Sequence, residues 1–285
     1  MRARFGLSIL FTAALLRVPA AGAAGGGEVP FQLHEGFIWV KVRAPESSEP
    51  LNFLLDSGAS VSVINLRTAQ SLGLKLGKQV SVQGVGTSPE GFWPQHLSAT
   101  ACGVRLPGAY LAVDLSALSG SCECRVDGLI GADFFRGRIV QVDFAAGKIR
   151  LLTAAPAAVG QEVLPLKVRQ GALRVPVRVN GGAARWVRLD TGCASGLQWM
   201  TESGESEGPD RRMAVALSKV SVGVAQTRVQ LGATCFEAVA TDLHKTPIFA
   251  HEAGLLGNGL LSRYGSVTVD AKAGQLILER RRDGN

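Results

Sequence analysis

Charge, aromatic rings and histidine are all scarce in this chain. Charged residues make up 19% of its 285 positions and aromatic residues 6%, and there are four His. No two His have metal-ligand spacing, and no Cys-x-x-Cys pair occurs, so a paired-cysteine zinc site is excluded. No apolar run long enough to cross a bilayer follows the first residues. Sustained helical periodicity is missing, which argues against a helical bundle. Gly84-Val85-Gly86 has no helix behind it, so it cannot work as a phosphate loop. The net charge of +7 includes Arg2, Arg4 and Arg17 in a leader without acids, and the remaining excess is spread thinly. Its one dense run, Glu279-Arg280-Arg281-Arg282-Asp283, reads as a solvated tail, so nucleic acid is not an expected partner.

What is abundant is apolar residues, at 46%, and 35 Gly. This composition folds and is not that of a disordered chain. Val-rich alternating runs between Gly-bearing turns point to mostly β structure. Residues 1–24 read as a secretory signal: a basic start at Arg2 and Arg4, an apolar Phe5–Leu16 segment, and Ala21-Gly22-Ala23 for cleavage. The expected location is therefore the periplasm or outside the cell. No Cys stands at the cleavage site to take a lipid, so no stable membrane anchor is expected. Export permits disulfides. Cys102 with Cys122 or Cys124, and Cys193 with Cys235, are candidate bridges, and the odd fifth thiol stays unpaired.

The centre of the sequence is a string that occurs twice. Leu54-Leu55-Asp56-Ser57-Gly58-Ala59 is matched by Arg188-Leu189-Asp190-Thr191-Gly192-Cys193. Each is an apolar strand delivering an Asp into a tight turn. Either string alone could be an ordinary surface turn. Their surroundings, however, repeat in order. Strands Phe37–Val42 and Leu51–Leu55 form a hairpin into Asp56, and Leu173–Val179 and Arg185–Leu189 form one into Asp190. Gly36 precedes Asp56 by 20 residues and Gly171 precedes Asp190 by 19. Leu129-Ile130-Gly131 follows in one half and Leu255-Leu256-Gly257 in the other. Val142-Asp143 and Val269-Asp270 each precede a Gly by four residues from the Asp. This is an internal duplication of whole units, 25–152 and 161–285, joined by an Ala-rich linker at 153–160. Asp143 and Asp270 read as strand-end or turn residues.

The halves are not identical. Leu66–Leu74 suits a short helix, and 198–212 suits none. Val80–Val85, a Gly-bounded tip, and Phe92-Trp93 suggest a long hairpin in the first half, with no comparable hairpin expected in the second.

These residues resemble the aspartic proteases of the pepsin and retropepsin superfamily. Leu54 to Ala59 is similar to the retroviral-type active-site string. The two apolar-apolar-Gly segments resemble those packed behind each Asp loop, and the hairpin from Gly84 to Trp93 is similar in place to the single flap of two-lobed members. The length and leader resemble bacterial exported members with retropepsin-type lobes. The resemblance implies two pseudo-symmetric acid-protease-like β-barrel lobes with a catalytic cleft between them. It implies catalytic Asp56 and Asp190, loop support from Ser57, Gly58, Thr191 and Gly192, and a flap or substrate cleft at Gly84, Val85, Gly86, Phe92 and Trp93. It implies a peptide or protein substrate, no cofactor and no metal. Phe92 and Trp93 can equally pack on their own lobe. Both Asp lie in one chain, so a monomer suffices for the site.

Two nearby carboxyls cannot both ionise readily, so such a pair shares a proton, aspartic proteases being the standard instance. Ala59 and Cys193 stand where a carboxylate-binding hydroxyl would favour the charged form, so a weakly acidic optimum is expected. One rival is an exported, catalytically inactive peptide-binding module on the same fold. Another is a glycoside hydrolase, whose carboxyls stand about 5 Å or more apart. A third is a Cys193 nucleophile, which needs His244 or His251 brought close by the fold.

Overall fold

The computed structural model describes residues 26–82, 90–157, 160–201, 210–215, 218–245, 247–249 and 252–281. The expected signal at 1–24 lies outside these residues, as do Gly84, Val85, Gly86 and His251. The protein is mostly β, with short helical turns at Leu66–Ser71, Ser116–Ser119, Ala132–Phe135 and Asn258–Leu261.

Alternation builds the strands. In Phe37–Val42, Ile38, Val40 and Val42 are almost fully buried while Lys41 is exposed, the period of two that puts one face on the core. Each fully buried aliphatic side chain of this kind contributes about 1.5–3 kcal/mol. The expected strands Phe37–Val42, Leu51–Leu55 and Arg185–Leu189 are all present, and Ala172–Val179 begins one residue early. Among the short strands not expected are Gln32–His34 and Lys167–Arg169. Each pairs with the next strand across a two-residue loop, Glu35-Gly36 or Gln170-Gly171, and both residues of each loop have positive φ. That is the geometry of a primed hairpin turn.

Two eight-stranded sheets share one strand order. The first runs Gln32–His34, Phe37–Val42, Leu51–Leu55, Gly128–Ile130, Val63–Asn65, Ala109–Val113, Glu90–His96, Lys78–Ser81. The second runs Lys167–Arg169, Ala172–Val179, Arg185–Leu189, Gly254–Leu256, Leu197–Met200, Thr234–His244, Ser218–Leu231, Asp210–Val215. The second half therefore does carry a hairpin, Asp210–Val215 with Ser218–Leu231, at the sheet position of Lys78–Ser81 with Glu90–His96. The sequence hid it because neither Ala216 nor Leu217, the residues between its two strands, is the Gly or Pro that signals a turn.

A six-stranded sheet draws on both halves, in the order Glu28–Pro30, Lys148–Leu152, Ile139–Asp143, Tyr264–Asp270, Gln275–Arg280, Glu162–Pro165. At its centre Ile139–Asp143 pairs antiparallel with Tyr264–Asp270, with Gln141 opposite Thr268. Asp143 and Asp270 are strand-end residues that accept turn N–H groups, from Ala146 at 2.8 Å and from Ala273 at 2.8 Å. The main hydrophobic core is likewise common to both halves, from Val29 to Leu278.

The short helix expected within 66–74 occupies Leu66–Ser71, and the Asn65 side chain caps it by accepting from Arg67 N. Among the described residues between 198 and 212 there is no helix. The candidate disulfides are not formed, and all five cysteines are free thiols. Cys193 is buried beside the second Asp turn while Cys235 is exposed on the strand Thr234–His244, so the fold separates that pair.

Asp127, nearly buried, ties the helix to the strand that carries Asp56. Its carboxylate accepts from Asn52 N at 2.9 Å, Thr68 Oγ1 at 2.9 Å and Arg125 Nε at 2.8 Å. Asp127→Ala leaves the part-buried Asn52 N–H and the buried Thr68 hydroxyl without this acceptor. It should lower stability by about 2–3 kcal/mol, read as a reduced denaturant midpoint at unchanged slope.

Candidate active site

The two Asp turns are built alike. Leu51–Leu55 lies parallel to Gly128–Ile130, and Asp56 N donates to Ile130 O at 2.8 Å. Arg185–Leu189 lies parallel to Gly254–Leu256, and Asp190 N donates to Leu256 O at 2.9 Å. Each strand thus releases its Asp at the same height beside its apolar neighbour. Ala59 N and Cys193 N each close a turn onto the Asp carbonyl at 3.2 Å. The Gly that ends each apolar-apolar-Gly segment is sterically required. A Cβ on Gly131 would stand 2.4 Å from Val61 C, and one on Gly257 would stand 2.3 Å from Ser195 O.

The turns meet by a reciprocal crossing of hydroxyls. Thr191 Oγ1 accepts from Ser57 N at 2.9 Å and donates to Leu55 O at 2.8 Å. Ser57 Oγ accepts from Thr191 N at 3.0 Å and donates to Leu189 O at 2.8 Å. Ser57 and Thr191 are buried, and beneath them lie Phe135, Val142, Leu261, Val267 and Val269. In this apolar setting the four bonds have no competing water.

The crossing brings Asp56 and Asp190 together, close enough for the charge of one to act on the other. Each also packs on the opposite turn's glycine. A Cβ on Gly58 would meet Asp190 Cγ at 2.4 Å, and one on Gly192 would meet Asp56 Cγ at 2.4 Å. Asp56 Oδ1 accepts from Ala59 N at 3.0 Å, and Asp190 Oδ1 accepts from Gly192 N at 2.9 Å. Burial raises the pKa of both carboxyls, and the Asp56 charge adds to the rise at Asp190. The backbone donors and the Arg188 guanidinium oppose it. The pair is poised to hold one proton between two carboxyls.

The setting of Cys193 disfavours the thiolate that a nucleophile needs. Burial, then the Asp190 charge, pushes its thiol well above the usual range, and its Sγ accepts from Gln198 Nε2 at 3.3 Å. His244 is held below its ordinary pKa by burial. Phe92 is half-buried and packs against the main core, and Trp93, next to it on the strand Glu90–His96, is also half-buried.

Three features here were missed in the sequence. Arg188 donates from Nη1 to Gly58 O at 2.7 Å, bridging the halves beside both carboxyls. Buried Glu252 holds Arg188 and Arg174. Asn258 Nδ2 is placed to donate to Thr191 O at 2.7 Å and Gly36 O at 2.9 Å. The signal for Arg188 was a charged residue where the first string has Leu54. Among the described residues, the one grouping with the donors and spacing for a metal ion is His34, Glu35 and Glu123, all exposed, with ligand atoms within 4.8 Å of one another. Its members come together only through the fold.

Residues 40–134 match the family model for aspartyl protease. That span includes Asp56, Ser57, Gly58 and Gly131, and ends before Asp190. The match supports an aspartyl-protease relationship and a peptidase type of activity. None of the curated proteins matches the chain.

Two outcomes test this geometry. Ser57→Ala strands Thr191 N–H and Leu189 C=O in an apolar setting and should cost about 2–3 kcal/mol, measured by chemical denaturation. The raised dyad pKa also fixes a sign. The folded state keeps a proton that the unfolded state loses, so this contribution is complete below the ordinary carboxylate pKa of 3.8 and is lost as pH rises through the raised value. Asp190→Asn keeps an acceptor for Gly192 N but removes the charge. Its melting temperature should exceed the wild type's at pH 7, and the gain should vanish at pH 3.

Proposed function

We propose that the protein is an aspartic endopeptidase in which Asp56 and Asp190 jointly activate a water and protonate the leaving amine. The observation that carries this reading is the reciprocal Ser57–Thr191 crossing, which holds the two carboxyls against each other. With one proton on the pair, one carboxylate takes a proton from the attacking water while the other donates to the scissile carbonyl. The proton gained by the first then passes to the departing amine as the C–N bond breaks, while the second takes a proton back from a hydroxyl of the tetrahedral gem-diol, so the pair ends with one proton as it began. Base and acid belong to the pair and not to either residue alone.

On this reading 25–152 and 161–285 are two pseudo-symmetric lobes joined at 153–160. Their shared strand order and the paired landmarks support this. The substrate is an extended peptide lying between the lobes and bound partly through its main chain. Gly58 and Gly192 leave the room such a chain needs, and Phe92 and Trp93 belong to the flap over it. One chain supplies both carboxyls, so the monomer is the working unit. Residues 1–24 direct export to the periplasm or beyond. Neither Ala59 nor Cys193 offers the carboxyls a hydroxyl, and Cys193 stays a neutral thiol, so the working range is weakly acidic.

Cleavage of a mixed peptide library should peak at weakly acidic pH and fall by about 10²–10⁴-fold or more in Asp56→Asn and in Asp190→Asn. Cleavage that survives either substitution overturns the mechanism, and a peak at strongly acidic pH overturns the assigned range. Peptide binding without turnover in the wild type identifies an inactive binding module instead.

A further inference from the structure

The first and second sheets place three residues in equivalent positions around their Asp strands. In the first half these are Trp39, Leu54 and Val126. Trp39 pairs with Leu54, Leu54 stands two residues before Asp56, and Val126 stands two before Gly128. Leu54 and Val126 are buried in an apolar cluster against which Trp39 packs. In the second half the same positions hold Arg174, Arg188 and Glu252, with Arg174 paired to Arg188. An apolar trio has been exchanged for a buried ionic one.

The ionic trio is fully bonded. Glu252, completely buried at its side chain, accepts at Oε1 from Arg174 Nε at 3.0 Å, Arg174 Nη2 at 2.6 Å and Arg188 Nη2 at 2.7 Å. Its Oε2 accepts from Arg188 Nε at 2.7 Å. The Arg188 guanidinium stacks on Phe249, 3.7 Å from the ring centroid, and its Nη1 reaches Gly58 O at 2.7 Å. A buried ion cluster offers little net stability over apolar residues of similar size, so its retention needs another account. Two cations on one anion leave one positive charge, and the member nearest the dyad is the one bonded to the opposite Asp turn.

We propose that Arg188 is a positioning residue for the catalytic pair, pinning the Asp56 turn to the second half and lending the dyad a fixed positive charge from one side only. Leu54, its counterpart, supplies neither effect at Asp190. The pair thereby releases its proton at lower pH than an apolar trio would allow. The inference rests on the endopeptidase reading of Asp56 and Asp190. The titratable and charged groups facing this region are Asp56 and Asp190 on the two turns, Cys193 beside the second with Asp242 acting on it, and Glu252 and Arg174 around the guanidinium. Arg188 acts on both carboxyls against the effect of burial.

The test is a titration of Asp side-chain carboxyl carbons by NMR, which needs no substrate. It compares the full-length wild type with Arg188→Leu, and with the combined Arg174→Trp, Arg188→Leu and Glu252→Val, which rebuilds the first half's apolar trio should the single change fail to fold. Removal of the guanidinium should raise the apparent pKa values of the pair by about one unit. Arg188→Lys, which keeps the charge, should reverse most of that rise. The pH profile of library cleavage should move upward by the same amount. Unchanged dyad pKa values in a folded variant overturn the proposal and leave the endopeptidase reading standing. Cleavage that survives Asp56→Asn overturns that reading, and with it any catalytic role for Arg188, whatever the titration shows.

Discussion

The whole arrangement depends on four polar atoms that cannot be satisfied within their own half. The N–H and hydroxyl of Ser57 and those of Thr191 bond only across the crossing, and each also serves the strand end that carries the opposite Asp. With Phe135, Leu261 and Val269 around them, water cannot take their place without exposing apolar surface. The backbone must therefore bring the turns together, and the carboxyls follow. The glycines permit this approach and the Asp residues are its passengers, since the same contacts that satisfy the hydroxyls force two acids into one proton-sharing pair.

Around that symmetric backbone the side chains diverge. Asp127 braces the first Asp strand to a capped helix, and Ala253 occupies its place in the second half. Asn258 is placed to bond Thr191 O and Gly36 O, and Ala132 stands opposite. The first half is held by a carboxylate on a helix and an apolar cluster, the second by an ion cluster and a side-chain amide. Matching folds have been filled by different means, and the differences gather within a few residues of the carboxyls.

What could be read from the chain were features with local causes. Strands announced themselves by alternation. Gly131 and Gly257 announced themselves because no other residue fits where another backbone passes so close. The Asp-Ser-Gly and Asp-Thr-Gly strings were legible as a pair because their order was repeated. The hairpin at Asp210–Val215 was not, because the residues between its strands lack the Gly and Pro that marked its counterpart. Nor was the ion cluster, whose members lie 64 and 78 residues apart along the chain. The cysteine pairings failed for the same reason, since distance in space is not written in distance along the chain. The flap glycines lie outside the described residues, and Phe92 packs on the core.

The six-stranded sheet has a consequence of its own. Its two halves are stitched by a single ladder between Ile139–Asp143 and Tyr264–Asp270. Cut the chain at 153–160, and the amino-terminal fragment would present Ile139–Asp143, with its Val140 and Val142, as a naked edge. An edge of that kind recruits whatever strand is at hand. The nearest suitable strand is the same one in another copy, running antiparallel. A severed half would thus be a template for a twofold homodimer, through an edge that the intact chain keeps paired with Tyr264–Asp270.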